Sequence, residues 1–255
     1  MVNRPRARTR WTLRLCLPLT VLALVPLAAP ASEHRFNPNS PSFATLFDAF
    51  NENYKQALYA TAQGDRKRAA SELMGTRLAW QMVVSRFRDT PPAQYRKDAK
   101  WRSDLTKISG YIQIADTRLD AGKLAEAHEA LQSIRHVWAA VDARNGVRRF
   151  GDELVRFHDV MEPAVQAAAA GVNDSNSTAF TSRVDALAAG WQKVQDFGFS
   201  RKRPAEQKRL QEMMAAETQA IDNLRSATEA KDCPSITTLA PAVERAFEAL
   251  YLEFG

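Results

Sequence analysis

One stretch of this chain is written twice. Gly64 to Trp80 reads GDRKRAASELMGTRLAW, and Gly122 to Trp138 reads GKLAEAHEALQSIRHVW. The copies share Gly64/Gly122, Ala69/Ala127, Leu73/Leu131, Arg77/Arg135 and Trp80/Trp138. Each glycine falls where one amphipathic run ends and another begins, which suits a helix C-terminal turn with positive φ. After it, Ala, Leu and Trp recur at helical spacing and define one buried stripe. The repeated unit is therefore two antiparallel helices joined by a tight turn. Such repetition restricts the fold more than any compositional figure.

A longer period overlies the first. LVRFHDVMEPAVQAAAAG aligns with FDAFNENYKQALYATAQG when Phe50 faces Phe157 and Gly64 faces Gly171. Trp80 then meets Trp191, Ile134 meets Val243, Trp138 meets Phe247 and Gly146 meets Gly255. The reading is all-α: a tandem duplication of an up-down-up-down four-helix bundle, about 105 residues per unit and eight helices in all. The two bundles are expected over residues 42–146 and 150–255.

The first helix, with Ser42 as its cap, buries Phe43, Leu46, Phe47, Phe50, Tyr54 and Leu58 at helical steps. The second is expected over 66–88, turning Ala69, Leu73, Leu78, Trp80, Val84 and Phe87 inward. The others are expected over 94–121, 124–143, 150–170, 178–197, 204–231 and 238–254. Pro163 inside the fifth predicts a kink or break, whereas Pro241 falls in the first turn of the last, where it costs little. No stretch alternates as a strand would.

The first 31 residues read as a secretory signal peptide. Arg4, Arg6, Arg8, Arg10 and Arg14 make a basic start, Leu15 to Ala29 carries no charge, and Ala29-Pro30-Ala31 is a small-x-small cleavage site. Cleavage after Ala31 implies a periplasmic or secreted protein with no remaining transmembrane span. A flexible lead-in follows over 32–41. Removing residues 1–31 takes away those five arginines and no acid, which brings the net charge from +6 to +1. The basic balance thus belongs to the leader and does not point to nucleic acid. The mature chain keeps one of the two cysteines, Cys233, for which burial as a small hydrophobe is the expected use.

Several chemistries are absent from the sequence. It has no Gly-rich phosphate loop, no Cys-x-x-Cys, no His pair at i, i+4 and no nucleophile elbow. The expectation is a non-enzymatic protein that binds a partner or ligand at a bundle end or in the cleft between bundles. His128 and His136 fall on the solvated flank of the fourth helix. His158, Met161 and Glu162 share a face at i, i+3 and i+4. Bundle geometry puts Met213, Met214 and Glu244 at a similar height. A layer of His158, Met161, Met213 or Met214, and Glu244 would offer imidazole and thioether to copper, the alternative reading; as ordinary core filling, the same methionines need no metal.

A second constellation is electrostatic. One end of the first bundle carries Arg96, Lys97, Lys100, Arg144, Arg148 and Arg149, and the corresponding turn of the second carries Arg201, Lys202 and Arg203. This basic end would suit an anionic surface or an acidic envelope protein, although cations near helix C-termini also simply complement the dipole.

In helix count and turn placement, each half resembles the soluble periplasmic b-type cytochromes. That resemblance implies haem held between a Met on the first helix and a His near the end of the fourth. The second half has Met161 but no His on its last helix; the first has His136 but no Met on its first. Haem is therefore not expected.

Overall fold

The computed structural model describes residues 41–173, 175–197 and 203–255. The expected signal peptide and its cleavage site, the lead-in up to Ser40, and Arg201 and Lys202 of the basic end lie outside the described residues. Pro41–Gly255 form one compact unit. It is all-helical, and among the described residues there is no strand. The helices are α1 (Phe43–Ala62), α2 (Arg66–Phe87), α3 (Trp101–Asp120), α4 (Leu124–Arg144), α5 (Phe150–Ala169), α6 (Ser177–Asp196), α7 (Pro204–Glu229) and α8 (Cys233–Phe254), with a 3-10 turn at Ala93–Tyr95. None of the described helices is long and apolar enough to cross a membrane.

The helices close into two rings. α1 and α3 each pack on both α2 and α4, and α5 and α7 each pack on both α6 and α8. α1 meets α8 and α4 meets α5, so the rings are fused along a seam. Both rings lie within one compact unit.

The matched positions behave alike. Trp80 and Trp191 are both buried, and each indole donates a 2.9 Å hydrogen bond to a hydroxyl on the next helix, Ser109 or Thr218. Each hydroxyl in turn donates to a carbonyl one turn back, Leu105 or Met214. Phe50 lies 4.8 Å from Trp80, and Phe157 lies 5.1 Å from Trp191, between ring centroids. Gly64, Gly122, Gly146 and Gly171 all take positive φ. At Gly64 and Gly122 the turn is a Schellman motif: Asp65 and Lys123 donate to Ala60 and Arg118.

Several boundaries differ from the sequence reading. Ser42 does cap α1, accepting from the Thr45 N–H at 3.1 Å. α3 starts at Trp101, not near Gln94, because the segment after Pro91-Pro92 takes the 3-10 turn and places Tyr95 in the core. α8 starts at Cys233, where Asp232 caps it through the Ser235 N–H. Pro234 thus occupies its first turn, and Pro241 lies in the interior. α5 runs through Pro163 without a break. Leu78 faces solvent, since the stripe built on Leu73, Trp80 and Val83 leaves it on the opposite side. Cys233 is only partly buried, because it opens a helix at the surface.

Candidate functional site between the rings

The seam is built from α1 and α4 of the first ring and α5 and α8 of the second. Each contributes polar side chains to an otherwise apolar contact. At the centre stands Arg135 of α4, 5% exposed. Its Nη2 donates to the imidazole of His158 on α5, 2.7 Å from Nδ1, and its guanidinium carbon lies 5.8 Å from the centre of the Tyr251 ring on α8. Tyr54 of α1 donates its hydroxyl to the Leu131 carbonyl at 2.9 Å.

Among the described residues Arg135 has no carboxylate partner. Burial, then the Arg135 charge, pushes His158 down to about 2, so the imidazole is neutral. Among the described residues the guanidinium therefore meets an imidazole and a phenol ring but no anion, and its Nε has no hydrogen-bond partner there. A buried charge left in this state costs several kcal/mol.

Two cavities of about 410 Å³ each flank this residue. Arg135 and Tyr251 line both and form the partition. The lower cavity lies beside the α4–α5 linker and the end of α8. Its walls are aromatic, including Phe47, Phe50, Phe150 and Phe254, with Trp138, Asp152, Arg148 and Arg149 among its polar groups. The upper cavity takes Lys55, His128, His158, Met161, Glu162, Glu244 and Glu248 into its wall. Burial and then the neighbouring Glu162 raise Glu244; burial and then Glu244 raise Glu248.

The proposed metal layer is divided by this geometry. His158, Met161 and Glu244 line the upper cavity. Met213 and Met214 sit on α7, which packs on α6 and α8, and neither lines either cavity. The reason is helix placement: α7 belongs to the outer side of its ring, while the seam is made by α5 and α8. Among the described residues, no group of three His, Cys, Asp or Glu converges as a metal cluster would. His128 is not on a solvated flank. Its Nδ1 donates to the Leu58 carbonyl at 3.2 Å, and Gln132 donates to its Nε2 at 2.8 Å. His136 is half-exposed and lies 3.7 Å from Asp159 across the seam.

The basic end also divides. Arg144 is held by Asp98 and Asp104, at 2.8 and 2.6 Å. Arg149 pairs with buried Asp142 at 2.7 Å and bonds the Tyr95 hydroxyl. Arg203 pairs with Glu206. Arg148 is exposed and stacks over Phe197. Arg96, Lys97 and Lys100 are exposed. Arg148 and Arg149 thus join the lower cavity, and Arg144 serves the fold.

In the sequence Arg135 and Trp138 stand out only as markers of the repeat, and Asp152 does not stand out at all. One signal was present: Arg135 stands three residues before Trp138, on the same face as a buried indole. Its copy, Arg77, holds the same spacing to Trp80 yet reaches Asp116 at 2.9 Å near solvent, so the repeat alone does not separate the two. No family model, curated protein or solved structure matches the chain.

Proposed function

We propose that this chain is an exported, non-enzymatic binding protein of the bacterial envelope that holds its ligand in the seam between its two rings. The observation that carries this reading is the pair of seam cavities, each of the size small-molecule sites commonly have, separated by a buried guanidinium without a counter-anion among the described residues. Export rests on the N-terminal sequence, and the absence of catalytic motifs in the sequence supports a binding role. The test is native mass spectrometry of gently purified protein, alongside Val155→Trp, which fills the lower cavity, and Leu58→Trp, which fills the upper. A bound mass lost in one variant supports the reading. A bound mass kept in both, or none in the wild type after incubation with envelope extract, removes it. Cell fractionation tests export, which fails if the protein stays cytoplasmic with residues 1–31 attached.

Copper handling is a second reading. It is favoured by one fact, that His158, Met161 and Glu244 line the same cavity. Arg135 competes with it, because its cationic Nη2 sits 2.7 Å from Nδ1 and 3.0 Å from Nε2 of His158, where it repels a metal cation. Copper should raise the melting temperature of the wild type and leave a His158→Ala, Met161→Ala double variant unchanged. Equal metal content and equal melting with and without copper would remove this reading.

A further inference from the structure

Five buried side-chain atoms have no hydrogen-bond partner among the described residues, and three belong to residues that line the lower cavity. They are Arg135 Nε, Trp138 Nε1 and Asp152 Oδ2. All three side chains are more than nine-tenths buried. Buried polar groups are ordinarily satisfied, so a cluster of orphans around one cavity asks for an explanation. The two nitrogens are donors three residues apart on α4, hence on one face of the helix. Asp152 stands across the seam on α5. The rest of the wall is largely aromatic, and the rim carries Arg148 and Arg149.

We propose that the lower cavity binds a small organic carboxylate with an apolar body, its carboxylate taken by Arg135 and Trp138. This rests on the seam-binding reading and names the ligand class for it. The chemistry follows from what is left unmade. Arg135 gives Nη2 to His158 and keeps an Nε–H without an acceptor among the described residues, and a guanidinium so placed can take a carboxylate. A ligand anion would supply the counter-charge this guanidinium lacks. An amine would put a second cation beside it, and an alcohol would satisfy a donor without matching the charge. Asp152 is compatible with an anion, because burial and then Asp142 raise it to about 7. In its protonated form it can itself donate to the ligand. The aromatic walls would bury the apolar body.

The experiment titrates the purified protein, by calorimetry, with octanoate and 3-phenylpropionate and with the alcohol and amine of each skeleton. The carboxylates should bind one per chain and at least about tenfold more tightly than their alcohols and amines, the usual worth of a charge-assisted pair. Arg135→Met should bring the carboxylates down to the alcohol level. Trp138→Phe, which removes the N–H and shrinks a buried ring, should weaken the carboxylates several-fold; it also opens a small void among Phe47, Trp80 and Trp101, so the melting temperature should fall while circular dichroism at the titration temperature stays that of the folded protein. Gln132→Ala, on the upper cavity, should leave binding unchanged. If alcohols and amines bind as well as carboxylates and Arg135→Met changes nothing, the anion inference falls while the seam still binds. If none of the six compounds binds but the native mass measurement still shows a seam-dependent adduct, the ligand class is wrong. If neither is seen, the cavity holds water only and both readings fall.

Discussion

In the first ring Ile108 is fully buried on α3, one residue before the serine that receives the Trp80 indole. In the second ring the matching position, one residue before Thr218, is Glu217, equally buried and with neither carboxylate oxygen partnered among the described residues. The helices, turns and tryptophan contacts repeat, but the residue filling this core site has changed from apolar to ionisable. The same contrast recurs at the surface and in a turn. Gly122, at positive φ, is matched by Lys231, the one non-glycine with positive φ among the described residues. The α2 positions Met74, Leu78 and Met82 are exposed and apolar, whereas their counterparts Asp185, Ala189 and Lys193 are exposed and of ordinary surface type. Positions that repeat in kind are those the ring needs in order to close. Positions that differ are free of that demand, and the second ring tolerates a burden at Glu217 that the first does not carry.

The largest effect should come from removing that burden. Burial raises Glu217 from 4.5 to about 9. Because the folded value lies above the unfolded one, folding takes up a proton. The contribution of Glu217 is fully present below about pH 4.5 and is lost as pH rises toward 9, by up to about 6 kcal/mol over the whole range. Glu217→Ile, which copies the first ring, should abolish most of this slope and raise the urea midpoint at pH 9 far more than at pH 5. Asp152, raised to about 7, leaves a smaller slope that ends near neutrality. Equal slopes in wild type and variant would show that Glu217 finds water or a cation and that the rings do not differ here.

The shared tryptophan bonds offer a direct check on equivalence. Trp80→Phe and Trp191→Phe each remove one indole N–H from a buried bond to a hydroxyl. Each should destabilise the protein by about 1–2 kcal/mol, and by similar amounts, since the hydroxyls back-bond alike. A loss confined to one of them would break the comparison at its best-matched point.

The turn between the third and fourth helix of each ring tests the same idea in the backbone. Lys231 holds φ at 54°, which costs a side-chain-bearing residue about 1 kcal/mol. Lys231→Gly should recover roughly that amount, and Gly122→Lys should lose it. Thermal melts of the pair are enough. Movement of both in the same direction would mean that the two turns are not equivalent.

Most of the fold was legible because its markers are local. Glycines at helix ends, Ser42 before the first apolar run and tryptophans at matched spacing each act through the few residues around them. What was not legible depends on which helices meet. Helical spacing puts Met161 and Met213 on inward faces, but it does not say that α5 joins the seam while α7 stays on the outer side of its ring. Arg135 and Arg77 look alike in sequence, and only the presence of a second ring against α4 buries one of them. Trp101 as a helix start was hidden for a different reason: the Pro91-Pro92 pair ends α2 visibly, yet the following segment spends its residues on a 3-10 turn that seats Tyr95 against Trp101.

The smallest effect should come from the outer face of α2. Met74, Leu78 and Met82 follow one another at four-residue steps, each about half exposed. In the second ring the same face carries Asp185, Ala189 and Lys193, and that ring closes with the same tryptophan contact. The apolar stripe is thus not required for packing. Replacing Met74→Asp, Leu78→Ala and Met82→Lys together should move the unfolding free energy by no more than about 0.5 kcal/mol, as exposed substitutions usually do. Helix propensity points the same way, since only the aspartate is a poor helix former and the others keep the backbone content. A loss of several kcal/mol would place these side chains in the stability of the first ring. The lesson drawn from the second ring, that this face of the α2/α6 position is free to vary, would then be wrong.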